Sequence, residues 1–425
     1  MTIEIRALLL ACAVTPMLAS SAAAQSCPDP AALTRGAAEP LATIRYLADD
    51  ALEGRLAGSA AERCAGDYIA ARFRALGLRP AGTDGTFFQD VPLASVLNPH
   101  AVAGTGRNVV ALLPGSDATL AEDVIVIGAH YDHLGMGGPS SRAPGETAVH
   151  NGADDNASGV AALRHAAALL RDARPARTIL FIAFTGEESG LLGSRHYLRN
   201  ATVPVARMRA MINMDMVGRL GDAALIVNGV ETAQEWRALL EPEAARLGLS
   251  LAMSGNGDGP SDHAAFYETG IPVVHLFTNT HAEYHMPGDD WSLIDAAGVE
   301  TVARLTAAVA GALAVAPATI TFQAGAASAP RAQGSGSGAW LGTVPDFTPV
   351  SRGVLLGGVT AGSPGESAGL KKGDVLIGLG GHDVADLQGF TDALGRFRPG
   401  QEVEIVVLRD DREVRLKAVL GARAR

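Results

Sequence analysis

The chain has 425 residues, 48 % of them hydrophobic, with 50 glycines and a formal net charge of -11. The length exceeds one average domain, so two folded units are expected, and the glycine and alanine content fits a loop-rich α/β enzyme rather than a coiled coil. The acidic balance argues against nucleic acid as a partner.

The first residues read as a secretory signal, 1–24. Arg6 precedes the largely apolar run 7–18, and Ala22-Ala23-Ala24 offers a small-x-small cleavage site before Gln25. The mature chain is therefore expected in the periplasm or outside the cell. The run is too short and too early for a membrane span, and no later stretch reaches about 18 uninterrupted apolar residues. A lipid-anchored alternative at Cys12 would leave very little apolar length before the cysteine. With Cys12 lost with the signal, Cys27 and Cys64 remain, and an exported chain favours pairing them over two free thiols.

Between residues 38 and 78, Leu41, Ile44, Leu47 and then Tyr68, Ile69, Phe73 and Leu76 recur at helical spacing, interrupted by the Gly-punctuated loop 52–59. Strands are expected at 108–113, 124–129, 178–184, 208–214, 224–227, near Leu251 and at 271–277. Helices are expected at 159–170, 190–198, 233–247, 262–268 and 296–314. Strands that are apolar throughout and alternate with helices imply an α/β fold with a mostly parallel central sheet covered on both faces. This unit spans 25–316. Residues 317–338, rich in Ala, Pro, Gly and Ser, read as a flexible linker. A smaller β-rich unit, 339–425, follows, with strands at 354–359, 375–379, 403–408 and 413–419 and one helix at 387–394. All three lysines, Lys371, Lys372 and Lys417, lie in it, while the chain before it uses arginine alone.

Five segments carry residues that could meet at one site. Asp154 and Asp155 sit in the turn Asn151-Gly152-Ala153-Asp154-Asp155-Asn156-Ala157-Ser158-Gly159, directly before a helix; taken alone, the pair fits a helix cap. His130 and Asp132 lie just past a strand, where open α/β sheets gather ligands, and His-x-Asp suits a metal-bound imidazole oriented by a carboxylate. Glu187 and Glu188 end another buried strand. One can hold a metal while the other takes and returns a proton. Asp215 leaves a carboxylate at an apolar strand end, which needs a partner. His285 lies on the loop 283–290. Nitrogen and oxygen ligands without thiolate suit zinc, with cobalt or manganese as alternatives. The set His130, Asp154, Glu188, Asp215 and His285 exceeds what one catalytic zinc with an open position uses. Two ions sharing a bridging carboxylate account for all five.

In this order, His-x-Asp, Gly-Ala-Asp-Asp-Asn-x-Ser-Gly, Gly-Glu-Glu-x-Gly-Leu-Leu-Gly-Ser, Asn-Met-Asp and Tyr-His-x-Pro resemble the bacterial leucyl-type two-zinc aminopeptidases. Their superfamily includes glutaminyl cyclases, glutamate carboxypeptidase and the transferrin receptor ectodomain. The resemblance covers roughly 38–316, and Leu52-Glu53-Gly54-Arg55 looks like the family's N-terminal signature. It implies that Asp154 bridges the ions, that His130 and Asp215 complete one site, and that Glu188 and His285 complete the other. It also implies Glu187 as general base, Asp132 as orienter of His130, and a cis peptide between Asp154 and Asp155. The substrates implied are peptides with a free N-terminus. Ser261-Asp262-His263 resembles a segment near the family's substrate pocket, where His263 could meet substrate or Ser-Asp could cap a helix. His133, His150, His165, His196, His275 and His281 have no motif support and are read as structural or surface. The region before His130 is too short for the protease-associated domain that several exported relatives carry. A glutaminyl cyclase-like enzyme and a non-catalytic peptide-binding protein are the alternatives. The Gly-Leu-Leu-Gly-Ser continuation favours the peptidase over the first, and the complete ligand set argues against the second.

The C-terminal unit resembles the PDZ domains of bacterial exported proteases, through Ala-Gly-Leu-Lys-x-Gly-Asp-x-Leu at 368–376, Pro399-Gly400 and the turn 409–411. That resemblance implies a partner peptide added as a strand, its C-terminal carboxylate held on backbone N–H groups at Trp340-Leu341-Gly342-Thr343. A PDZ fold that packs on the catalytic domain and binds no peptide is the alternative.

Overall fold

The computed structural model describes residues 27–93, 102–138, 140–143, 145–255, 257–315, 320–324, 339–346, 348, 350–385 and 387–422. The expected signal, Cys12 and most of the expected linker lie outside these residues. The part of the linker that is described, 320–324, is tied down: Phe322 bridges to Ala233, and the Gln323 N–H donates to the Thr232 carbonyl at 2.7 Å.

The N-terminal helices are α1 (Pro30–Leu33), α2 (Leu41–Leu47) and α3 (Ala60–Ala75). Ser59 caps α3 by accepting the Glu62 N–H at 3.0 Å. Cys27 and Cys64 form a disulfide, Cα–Cα 5.3 Å, which fastens the start of the described chain to α3. A loop of this size contributes about 3–4 kcal/mol by the chain-entropy argument.

The strands of the large sheet are β1 (Arg79–Pro80), β2 (Phe88–Pro92), β3 (Thr105–Leu113), β4 (Val124–His130), β5 (Thr178–Phe184), β6 (Met208–Met214), β7 (Leu225–Asn228), β8 (Leu251–Ser254) and β9 (Val273–Phe277). Their order is β1-β3-β5-β4-β6-β9-β7-β8, with β2 on β3. The centre, β5-β4-β6-β9, is parallel, whereas β3 runs antiparallel to β5 and β7 antiparallel to β9. The sheet is thus mixed: parallel through its middle and again in the edge pair β7-β8, antiparallel at the two junctions where β3 and β7 meet the middle. A parallel return needs a crossover, usually a helix. The links 114–123 and 215–224 hold no α-helix, so β3 and β7 run opposite to the centre.

Helices α4 (Gly159–Ala173), α5 (Leu192–Arg199), α6 (Trp236–Leu247), α7 (His263–Tyr267) and α8 (Ala296–Leu313) cover the two faces. The period-2 alternation of β4 decides which residue meets which layer. Ile125, Ile127 and Ala129 join the core under α2, α3, α4, α6 and α8, and Val124 and Val126 pack with Tyr197 of α5 and Phe266 of α7 on the other face. Helix α8 is long and apolar enough to cross a membrane, yet 56 % of it is buried against this core.

The second unit has its own core. Its strands are β10 (Ala339–Trp340), β11 (Thr343–Asp346), β12 (Val354–Val359), β13 (Val375–Leu379), β14 (His382–Asp383), β15 (Glu402–Arg409), β16 (Arg412–Val419) and β17 (Gly421–Ala422), with helices α9 (Pro364–Ser367) and α10 (Leu387–Leu394). The main sheet runs β11-β12-β13-β15-β16. Asn279 Nδ2 donates to Asp346 Oδ1 at 2.6 Å, and Thr280 Oγ1 to the Pro345 carbonyl at 2.7 Å, which docks β11 on the larger domain.

Candidate metal centre

Because β4 and β6 are parallel neighbours, with Gly128 opposite Asn213, His130 and Asp215 leave the same end of the sheet side by side. His130 Nε2 lies 3.3 Å from Asp215 Oδ1 and 3.2 Å from Asp155 Oδ1. Asp155 turns its other oxygen, Oδ2, to His285 Nε2 at 3.2 Å, and Glu188 Oε2 lies 3.4 Å from that nitrogen. One carboxylate therefore joins two clusters. His130, Asp155, Asp215 and Glu188 are all at least half-buried, and Asp155 is 4 % exposed.

Asp155, not Asp154, occupies the bridging position, and the cis peptide joins Asp155 to Asn156 rather than Asp154 to Asp155. Asp154 points away from both clusters. Its Oδ1 accepts the Gly218 N–H at 2.6 Å and the Ser158 hydroxyl at 3.0 Å, and its Oδ2 faces His281 Nε2 at 3.2 Å. Successive side chains in a tight turn project in different directions, and a one-residue error in reading that turn exchanges ligand and support.

The turn itself is bolted at several points. Asp289 Oδ2 accepts the N–H groups of Asp154 and Asp155 at 2.9 and 3.1 Å. Asn156 donates to the Met214 carbonyl and accepts the N–H groups of Gly159 and Met216, tying the turn to the end of β6. Arg55, fully buried, donates to the carbonyls of Tyr131, Asn151 and Gly152 at 2.8, 2.6 and 2.9 Å, and to that of Leu47. It clamps the end of β4 to the turn. Burial lowers its pKa to about 10, against the pull of Asp155 and Asp132.

The other expected residues fall as follows. The Asp132 carbonyl lies 3.2 Å from His130 Nδ1 and its carboxylate 3.7 Å away. That carboxylate accepts the Glu187 N–H at 3.1 Å, so Asp132 braces both. Glu187 Oε2 stands 4.0 Å from His130 Nε2 beside both clusters. Burial raises the Glu187 pKa well above the ordinary range despite the nearby His130, and Glu188, Asp215 and Asp262 add to the rise.

Several histidines read from sequence as structural or surface lie at the site. His133, wholly buried, contacts Glu188 Oε1 through Nδ1 at 2.8 Å and is 3.9 Å from Asp155 Oδ2. Nothing in its local sequence sets it apart from a core histidine, because its partner Glu188 lies 55 residues on. His281 sits between Asp154 and Glu283, and His275 lines the cleft and stacks on His263 at 4.5 Å. Asp262 makes no capping bond at the start of α7, and burial pushes its carboxyl up to about 7.

The donors fit zinc. Two three-residue sets, His130/Asp155/Asp215 and His133/Asp155/Glu188, each bring their ligand atoms within 4.8 Å of one another. Burial lowers the pKa of His130 and His285, yet the surrounding carboxylates outweigh it and raise His285 to about 10 and His130 well above 6.5. That field calls for positive charge at both clusters, which a pair of divalent ions supplies, and imidazole with carboxylate is a zinc donor set. A cleft of ≈ 280 Å³ opens on the centre, lined by Met216, Phe277, Thr280 and Tyr284 among others.

The sequence model of peptidase family M28 matches residues 108–310, and that of the PDZ domain, a peptide-binding module, matches 345–420. The chain is 30 % identical to leupeptin-inactivating enzyme 1 of Streptomyces exfoliatus over 177 residues, 41 % of this chain and 36 % of that one. It is also 30 % identical to the uncharacterized protein YfbL of Escherichia coli K12 over 236 residues, 47 % of this chain and 67 % of that one. The chain spans about half the length of the curated relatives it matches, from 36 % to 67 %. A Zn-dependent exopeptidase from Parabacteroides distasonis shares the fold, with TM-score 0.53, 20 % identity, and coverage of 63 % of this chain and 96 % of that one.

Proposed function

The chain belongs to peptidase family M28, and from that premise we propose that it is an exported aminopeptidase that removes the N-terminal residue of peptides at a two-zinc centre. One observation carries the reading: Asp155 faces His130 with one oxygen and His285 with the other, with Glu187 beside both clusters. His130, Asp155 and Asp215 would hold one ion, and Asp155, Glu188 and His285 the other. When bound, the ions supply an activated water and a polarised carbonyl.

The chain's own residues do the rest. Glu187, its proton affinity raised by burial among like charges, takes a proton from the attacking water and returns it to the leaving amine. Asp132 fixes the Glu187 backbone, so the carboxylate stays aimed at the cleft. The acidic site favours the free α-amino group of a peptide's first residue, which makes cleavage terminal. Met216, Phe277 and Tyr284 form a wall for that residue's side chain. Export is supported by the signal-like N-terminus and by the Cys27–Cys64 disulfide, which persists in oxidising compartments.

Assays of aminoacyl-4-nitroanilides and of N-terminal glutamine peptides, before and after chelation, test the reading. Chelator-sensitive release of nitroaniline is expected. Cyclisation of glutamine peptides without any nitroaniline release would replace the peptidase with a cyclase.

A further inference from the structure

Among the described strands, β11 is the outer strand of the C-terminal sheet, paired with β12 on one side. It begins directly after Leu341 and Gly342, both buried. Their carbonyls accept the N–H groups of Gly365 and Thr360, each at 2.8 Å, while their own N–H groups donate to no partner among the described residues. Buried backbone donors call for an acceptor, and successive N–H groups around a left-handed residue make an anion cradle. Gly342 has φ +82°, and a Cβ there would stand 2.2 Å from the Ser363 Cβ, so only glycine fits. A peptide C-terminal carboxylate is the anion that a PDZ domain places at such a cradle.

A peptide held there and paired along the open edge of β11 has one direction available. Its C-terminus is fixed at the start of β11, so it runs antiparallel and its N-terminal end leaves past Pro345 and Asp346. That end of β11 is the one docked on the catalytic domain, through Asn279 to Asp346 and Thr280 to Pro345. Thr280 itself lines the metal cleft, beside Tyr284 and His285.

We propose that the PDZ domain and the metal centre bind the same molecule: the PDZ domain holds the C-terminus of an oligopeptide and presents its N-terminus to the cleft. This rests on the aminopeptidase reading. The four residues of β11 span about 13 Å, so a di- or tripeptide cannot occupy the cradle and the cleft together. An oligopeptide can, and its second contact becomes intramolecular, which lowers KM through effective concentration. The device would set a preference for oligopeptides with a free C-terminus.

The test uses the zinc-loaded full chain and the N-terminal residue that serves best as a nitroanilide. That residue heads a tripeptide and a decapeptide, each with a free or an amidated C-terminus. Amidation is expected to raise the KM of the decapeptide about ten-fold or more and to leave the tripeptide unchanged. Asp346→Ala, which loosens the docking, should shrink the difference between the two decapeptides while nitroanilide turnover stays as in the parent. Equal KM for both decapeptides, or an equal effect of amidation on the tripeptide, would overturn the shared-substrate proposal. Absence of nitroanilide turnover in the parent would instead overturn the aminopeptidase reading.

Discussion

The two halves of the metal centre are built on different supports. His130 and Asp215 stand at the ends of adjacent parallel strands that are buried on both faces over Val124–His130 and 210–214, so the register of β4 and β6 sets their separation. Glu188 and His285 come from loops. His285 sits at φ +56°, its backbone carbonyl accepts the Arg142 N–H at 2.9 Å, and its Nδ1 lies 3.0 Å from the Ser140 carbonyl. The first half is held by sheet packing, the second by local polar contacts. The lesson is that the first is set by the hydrophobic core, while the second rests on loop contacts outside it.

The changes that test this contrast are ordered by expected effect. Asp155→Asn removes a carboxylate shared by both halves. Activity should fall by ~10³-fold or more, because a ligand change exceeds the 10–100-fold typical of supporting partners, and bound zinc should drop below two per chain by metal analysis. Asp154→Asn should keep zinc near two per chain, and equal zinc loss in both variants would return the bridging role to Asp154. Glu187→Gln should lower kcat by ~10²–10⁴-fold with metal content unchanged. Arg55→Met removes the clamp between β4 and the turn. It should cost about 3–5 kcal/mol in denaturant unfolding, the range for breaking a buried charge arrangement, and both halves should loosen together. His133→Phe should act on one half only: the second zinc should bind ~10–100-fold more weakly in a competition titration while the first is unchanged. Equal weakening of both would erase the distinction between the halves.

The last change lies in the PDZ domain, away from both halves. Asp374, 1 % exposed, accepts from Arg409 at two points, each 2.7 Å, and from the Lys371 N–H. Burial pushes its pKa up, but Arg409 and the Lys371 N–H outweigh that and hold it below the ordinary 3.8. A lowered folded-state pKa means stability fully present above about pH 4 and lost as pH falls through the folded value. Asp374→Ala should cost about 2–3 kcal/mol in the melting of this domain at neutral pH, and progressively less as the pH approaches the folded value.

Much of the centre was legible in the chain. His130, Glu187, Glu188 and Asp215 each follow an apolar run, and a buried parallel strand can deliver a polar residue only at its end. The identity of the bridge was not legible, because Asp154 and Asp155 are chemically alike and one residue apart. The choice between them is made by contacts from remote segments: Gly218 and His281 claim Asp154, while His130 and His285 face Asp155. His133 was missed because nothing local distinguishes an imidazole that meets Glu188, 55 residues on, from one that packs in a core. Asp289, on the loop 283–290, carries no local sign of its role, because its service to the turn depends on a separation of 135 residues.

The directions of β3 and β7 followed from helix-free links already present in the sequence reading, although their consequence for the sheet emerged only from the pairing. The sequence by itself determined what depends on local pattern: alternating apolar strands and helices, two units joined by a small-residue segment, and a donor set of imidazoles and carboxylates without thiolate. Tertiary structure alone decided which of two neighbouring aspartates joins the clusters, which histidines stand behind the ligands, and that the docked end of β11 meets the rim of the metal cleft. Those outcomes are set by side-chain direction and by contacts between segments far apart in the chain, and neither residue type nor spacing encodes them.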